Sequence, residues 1–525
     1  MNSLRSLIAA LLLLAALPAH ALASPTQEST FQDDPLLVYG TPDKVNQTLD
    51  TLKSFGVDRI RVSVFWRIVA PANDQAQKPS FDATDPAQYP PDAWDRYDHL
   101  IQAAQSRGIL INLNITSPVP RWASTESPRA DIQETFNPNP EEFGKFVQAV
   151  GTRYSGQYAG LPRVDYWSIW NEPNQAGWLT PQWSPNPRNA RVQIDAAPAI
   201  YRGLVASAWQ ALADTGHGTD TILVGETAPQ GQQSRRGLSQ SIDALRFIRR
   251  MYCLDDNLNV LRGSSAALRA CPGDIATFVA QNPALFQASG YAHHPYALLS
   301  PPSARSKPAD WVSMADLRKL SSELSRIYRR YGQRMQTSRG VPLYLTEYGY
   351  QTKPDPISVS FSRQAAWINQ AEYMAYKNAS VRAVNQFLLV DDAPVPGVDP
   401  KTNPRLAWRT FQSGLILLEG NKRKPSYNAY VTPLHVTQPR IRRGRSTGIW
   451  GMLRPAAAGT RVRANLQFRA TGTKTWRTRK TVTVSGPRHH FETRMVVPRT
   501  GFVRIHWRNG SRTLTSRAAQ VTVVR

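Results

Sequence analysis

The chain has 525 residues, 41% hydrophobic and 19% charged, with a net charge of +25. Its length exceeds one average domain and suits a large core plus a smaller second domain, and its composition excludes a disordered or collagen-like chain. The charge is uneven: 20 of the 63 Lys and Arg but only one of the 38 acids, Glu492, lie from His435 onward, so that tail holds +19 and everything before it +6.

The N-terminus, "MNSLRSLIAALLLLAALPAHALAS", reads as a targeting segment. Arg5 supplies the positive start, Leu7 to Leu17 the apolar middle and Ala21-Leu22-Ala23 a small-residue cleavage site. The apolar run is too short to span a bilayer comfortably. The expectation is a signal peptide over 1–23 and a secreted or extracellular product with no transmembrane segment after cleavage.

Between 35 and 430, short β-rich runs alternate with longer segments of helical spacing. The runs are "LLVYG" (36–40), "RIRVSVFW" (59–66), "ILINLNIT" (109–116), "VDYWSIW" (164–170), "TILVGET" (221–227), "SGYAHHPY" (289–296), "VPLYLTEYGY" (341–350) and "VRAVNQFLLV" (381–390). Between them, "PDAWDRYDHLIQAAQSRG" sets Trp94, Tyr97, Leu100, Ile101 and Ala104 on one helical face and stops at Gly108. Eight strand–helix units without a Gly-rich phosphate loop predict a closed (β/α)8 barrel over 35–430, whose site lies at the strands' C-terminal ends. The long loops at 67–91, 117–139 and 173–194 follow such ends.

The only cysteines are Cys253 and Cys271, and in an exported chain such a pair is expected as a disulfide. No zinc signature accompanies them, so neither metal nor cofactor is expected. Beyond "KPSYNAY" (424–430) the helical pattern stops and short alternating strands take over, split by Gly, Pro and Thr. This predicts a small basic Ig-like β-sandwich over 436–525. Its charge suits an anionic glycan or cell-envelope polymer. Nucleic acid is not expected, given export and only three tryptophans there.

Two carboxylates close strands. Glu172 ends the fourth in "WNEPN" and Glu347 the seventh in "LTEYGY". In a barrel such ends can face one another across the mouth, which is what glycoside hydrolysis needs: one carboxyl to deliver a proton, one carboxylate to attack or to activate water. Adjacent His293 and His294 point to opposite faces of their strand, so one belongs to the core and one to a subsite. Glu226, ending the fifth strand, is either a substrate-binding carboxylate or a structural acceptor. Trp122 and Trp178 are candidate platforms for sugar rings, and Trp66 and Trp408 are divided between that and core packing.

The motifs "WNEPN", "LTEYGY", "RIRVSVFW" and "HPY" together resemble glycoside hydrolase clan A, a superfamily of retaining glycosidases, near its family 5 cellulase-like and family 39 branches. The resemblance spans about 35–430. It implies Glu172 as general acid/base, Glu347 as nucleophile, Asn171 as partner of the sugar 2-hydroxyl, Arg61 as a brace for the nucleophile and Tyr296 as its hydrogen-bond donor. It implies a polysaccharide or oligosaccharide substrate. On that reading Arg61 and Tyr296 would hold the Glu347 carboxyl below its ordinary range. The alternative expectation is a non-catalytic carbohydrate-binding or cell-surface protein on the same barrel.

Overall fold

The computed structural model describes residues 24–233 and 236–525, so the expected signal peptide lies outside the described residues. Eight parallel strands close a barrel: β1 (Glu28–Gln32), β2 (Arg59–Phe65), β3 (Leu110–Thr116), β4 (Tyr166–Ile169), β5 (Thr221–Thr227), β6 (Gly290–His293), β7 (Leu343–Leu345) and β8 (Val381–Phe387). Each strand pairs with its sequence neighbours, and β1 closes the ring on β8 through Glu28–Ala383 to Gln32–Phe387.

Seven strands fall within the runs read from sequence. The first does not. "LLVYG" is not a strand; Asp34–Leu37 form one helical turn, and β1 lies upstream of residue 35. The cause is local. Asp33 caps that turn, its carboxylate accepting from the Leu36 amide, and Pro35 suits a first helical turn but cannot donate to a ladder. The strand signal sits instead in "ESTFQ", where Phe31 is fully buried.

Helices between strands bury their apolar faces on the barrel. The helix Pro42–Phe55 is typical: Thr41 caps it, Val45, Leu49, Leu52 and Phe55 face inward, and Gly56 ends it at φ 79°. A Cβ at Gly56 would stand 2.3 Å from the Arg454 carbonyl oxygen, so the left-handed turn and a close backbone approach from the second domain both require glycine. Cys253 and Cys271 are joined as a disulfide. Among the described residues no helix is long and apolar enough to cross a membrane.

The helix Pro425–Val431 ends the barrel, and an all-β domain follows. One sheet pairs Leu434–Val436, Ser446–Met452 and His490–Val496, all antiparallel. The other is built on Val462–Ala470, flanked by Arg477–Val484 and Gly501–Asn509. Leu466, Phe468, Val503, Ile505 and Val521 fill the space between. The domain docks under the N-terminal ends of the barrel strands. Trp450, wholly buried, lies 5.8 Å from both the Tyr373 and Tyr376 rings. Arg454 ion-pairs with Glu372 at 2.5 Å and donates to the Tyr430 carbonyl, and Arg488 pairs with Asp58. The opposite end of the barrel, where the strands finish, is left open for a site.

Candidate active site

The C-terminal ends of β4 to β7 converge on three carboxyl groups. Past β4 the backbone is forced out of strand geometry: Trp170 has φ 67° and Glu172 φ 36°, and Glu226 at the end of β5 has φ 46°. Left-handed conformations at bulky non-glycine residues cost energy and persist only where the surroundings fix them. Here the Trp170 amide donates to the Ile115 carbonyl on β3 and the Glu172 amide to the Glu226 carbonyl on β5, both at 2.9 Å. Pro173 then prevents the chain from continuing as a strand. The Glu172 side chain is 17% exposed and turned toward the mouth.

Arg61, on β2, lies beneath and is 1% exposed. One of its terminal nitrogens donates to Gln32 Oε1 at 2.6 Å and Glu347 Oε1 at 2.9 Å; the other donates to Asn171 Oδ1 at 2.7 Å and Glu226 Oε2 at 3.0 Å. Asn114, with its amide oriented to satisfy both neighbours, also accepts from Arg61 and donates to the Trp170 carbonyl. Burial works against the Arg61 charge, but Glu226 and Glu347 outweigh it and raise its pKa. Tyr296 donates to Glu347 Oε2 at 3.1 Å. Each oxygen of Glu347 thus receives a donor.

His294 stands between all three carboxyls. Its Nδ1 is 2.9 Å from Glu172 Oε1 and 3.5 Å from Glu347 Oε2, and its Nε2 is 2.8 Å from Glu226 Oε2. Burial favours the neutral ring, yet the surrounding carboxylates push its pKa up to about 9, so it is an imidazolium donating from both nitrogens. Glu226 behaves inversely. Burial pushes it up, but Arg61 and His294 prevail and bring it to about 2. For Glu347 burial outweighs His294 and Arg61, and its carboxyl rises above the ordinary glutamate range. This corrects the sequence expectation of a lowered value: the charge and the hydrogen bond are present, but the residue is only 7% exposed.

Glu172, His294 and Glu347 each place one ligand-type atom within 4.8 Å of the others, the one such grouping among the described residues. A protonated imidazole has no lone pair for a cation, so the trio reads as a hydrogen-bonded network first.

The "Cellulase (glycosyl hydrolase family 5)" model matches residues 22–384, more than half of the chain. The chain belongs to glycosyl hydrolase family 5. No curated protein matches its sequence. Solved structures that it matches include GH5_18 from Streptomyces cattleya in complex with GlcNAc, at 16% identity over 78% of this chain and 79% of that one, with a TM-score of 0.43. The beta-glycosidase from the hyperthermophile Thermosphaera aggregans is 17% identical over 79% of this chain and 96% of that one, with a TM-score of 0.42. An FMN-binding beta-glucuronidase from Facaelibacterium prausnitzii L2-6 is 10% identical over 96% of this chain, at a TM-score of 0.39, and this chain spans only 56% of its length.

Within this family 5 barrel, the structure brings Arg61, Asn171, Glu172, Glu226, His294, Tyr296 and Glu347 into one network. His293 faces the core, bonded to Thr227 Oγ1 and the Val312 carbonyl. One expectation changes, for Trp122, and two open readings close, for Glu226 and Trp66. Glu226 is wholly buried and its Oε2 is taken by Arg61, His294 and Thr346, so it cannot reach a sugar and acts as the structural acceptor. Trp122 is 9% exposed, packed edge-on to Trp66 and Phe81, with its indole N–H on the Pro71 carbonyl; its faces are not free for substrate. Trp66 is core. Trp178 is half-buried and bonded through its carbonyl to Trp170 Nε1 and Ser117 Oγ.

The open cleft is elsewhere. A cavity of about 930 Å³ is lined at one side by Tyr296, the partner of Glu347, and runs between the segments after β6 (297–313), β7 (351–357) and β8 (405–410). Trp311 and Trp408 line it. Of the tryptophans weighed from sequence, only Trp408 belongs to this cleft. Gln32 was invisible in the sequence because β1 was misplaced, and Trp311 lies in a loop with no motif.

Proposed function

We propose that the protein is a secreted retaining glycosidase that cleaves O-glycosidic bonds of a polysaccharide or oligosaccharide by double displacement. Glu172 is the acid/base and Glu347 the nucleophile. The observation that carries the reading is their separation: an oxygen of each lies within 4.8 Å of the other. Retaining pairs stand about 5–5.5 Å apart, whereas inverting pairs leave about 6.5–9.5 Å for a water.

Arg61 and His294 are two fixed cations among three carboxyls. Glu226, held at about 2, is ionised. In the first step a carboxylate oxygen of Glu347 bonds to the anomeric carbon as the glycosidic C–O bond breaks. Glu172 gives its proton to the departing oxygen. In the second step water attacks the same carbon, Glu172 takes the water's proton and the ester bond to Glu347 breaks. Asn171, held by Arg61, is positioned for the sugar 2-hydroxyl. His294 and Glu226 are positioning residues. The C-terminal domain is read as an Ig-like module, and its basic surface as suited to an anionic polymer.

The test is a panel of fluorogenic aryl glycosides and polysaccharides with wild type and Glu347→Ala, and NMR of the product anomer at early times. Turnover by wild type alone with retained configuration is expected. An inverted first product would sink the double displacement, and no turnover across the panel would sink the enzyme reading.

A further inference from the structure

The cleft beside Tyr296 carries an unbalanced charge. Arg305, Lys307, Arg405 and Arg409 line it and are exposed, and among the described residues none pairs with a carboxylate. The only acid among the lining residues is Asp355, which is buried, its carboxylate accepting from the Ile357 amide. Some other barrel cations are consumed by carboxylates, whereas others, such as Lys44, Arg318 and Arg363, also lack an ion pair among the described residues. Arg249 bonds Asp310 and Glu323; Arg246, Arg250 and Arg269 converge on Asp195. What sets the groove apart is convergence: four unpaired cations and one buried acid line a single concavity.

The groove's floor is of another kind. Leu298, Leu299 and Ile357 line it with half or more of their surfaces exposed, and Trp311 and Trp408 stand half-buried among them. Apolar floors with flat indoles suit the faces of sugar rings, and guanidinium groups at the rim suit planar carboxylates, which they bind through paired N–H donors. A neutral glycan would leave those charges with water alone.

We infer that the glycan held in this cleft is anionic, carrying carboxylate groups, as uronic acids do, on sugars a few units from the scissile bond. The inference rests on the glycosidase reading above and specifies its substrate class. It concerns the groove at the barrel mouth, not the basic β-domain at the opposite end.

The test separates binding from turnover. Full-length Glu347→Gln is titrated with oligogalacturonate and oligoglucuronate, and with the methyl esters of the same oligomers, which keep the backbone and remove the charge. Titrations are run in about 50 mM and about 500 mM salt, which changes screening severalfold. The acid form of at least one oligomer is expected to bind at least tenfold more tightly than its ester at low salt, with the gap narrowing at high salt. Arg305→Gln/Lys307→Gln and Arg405→Gln/Arg409→Gln, each with a thermal melt to confirm folding, are expected each to lose part of that preference, and the fourfold variant all of it. Equal or undetectable binding of acid and ester overturns the inference. So does a preference that survives the fourfold variant, because the attraction would then belong to the β-domain. Turnover on the panel is scored independently: an enzyme that cleaves only neutral glycans while failing here defeats this inference alone.

Discussion

The two ends of the molecule treat charge in opposite ways. At the barrel mouth two cations and three carboxyls share a few ångströms, and Arg61, His294 and Glu226 have every charge answered by another. In the β-domain, 20 cations face one acid, Glu492, whose partner Lys377 comes from the barrel. Buried charge survives only in pairs, whereas solvated charge needs no partner. The teaching is that net charge alone says little about where the chemistry is. The nearly neutral region holds the clustered carboxyls and the left-handed backbone at Trp170, Glu172 and Glu226.

That contrast can be broken or sharpened by substitution. The largest effect is expected for Glu347→Ala: loss of kcat by more than about 10⁴-fold, read on the best substrate of the panel. Next is Arg454→Ala, which strands the buried Glu372 at the domain junction; a loss of about 3–5 kcal/mol is expected from denaturant titration, as for a broken buried pair. The pH dependence then separates the two cations' partners. Glu226 is depressed from 4.5 to about 2, so its stabilisation is complete above pH 4.5 and lost as pH falls through about 2. His294 is raised from 6.5 to about 9, so its stabilisation is complete below pH 6.5 and lost as pH rises through about 9. The advantage of wild type over Glu226→Gln should fade on the acid side, and over His294→Gln on the alkaline side, in urea midpoints. The smallest effect is expected at the exposed Arg477 and Arg479: replacing both with Gln should move the thermal midpoint by no more than about 1 °C. A large shift there would mean that the β-domain's charges are structural after all.

The barrel was legible because parallel strands are buried on both faces and so read as continuous β-rich runs. Glu172 and Glu347 were legible for a related reason, as carboxylates ending such runs. What sequence could not carry was burial. It gave Arg61 and Tyr296 as neighbours of Glu347, but not the dry surroundings that reverse the direction of its shift. It left Glu226 undecided for the same reason. Asp391 and Asp392, which follow β8, are engaged with Lys424 and the Phe411 amide. The cleft was illegible because loops from three strands, none carrying a motif, make it together.

The junction beneath the barrel bears on any attempt to shorten the protein. Cutting the chain after Val431 would remove Arg454 from Glu372 and Trp450 from Tyr373 and Tyr376. The truncated barrel would present an aromatic patch around an orphaned carboxyl, a surface suited to self-association. A minimal catalytic module therefore includes the β-domain, and loss of activity on trimming it would report on solubility before it reported on substrate binding.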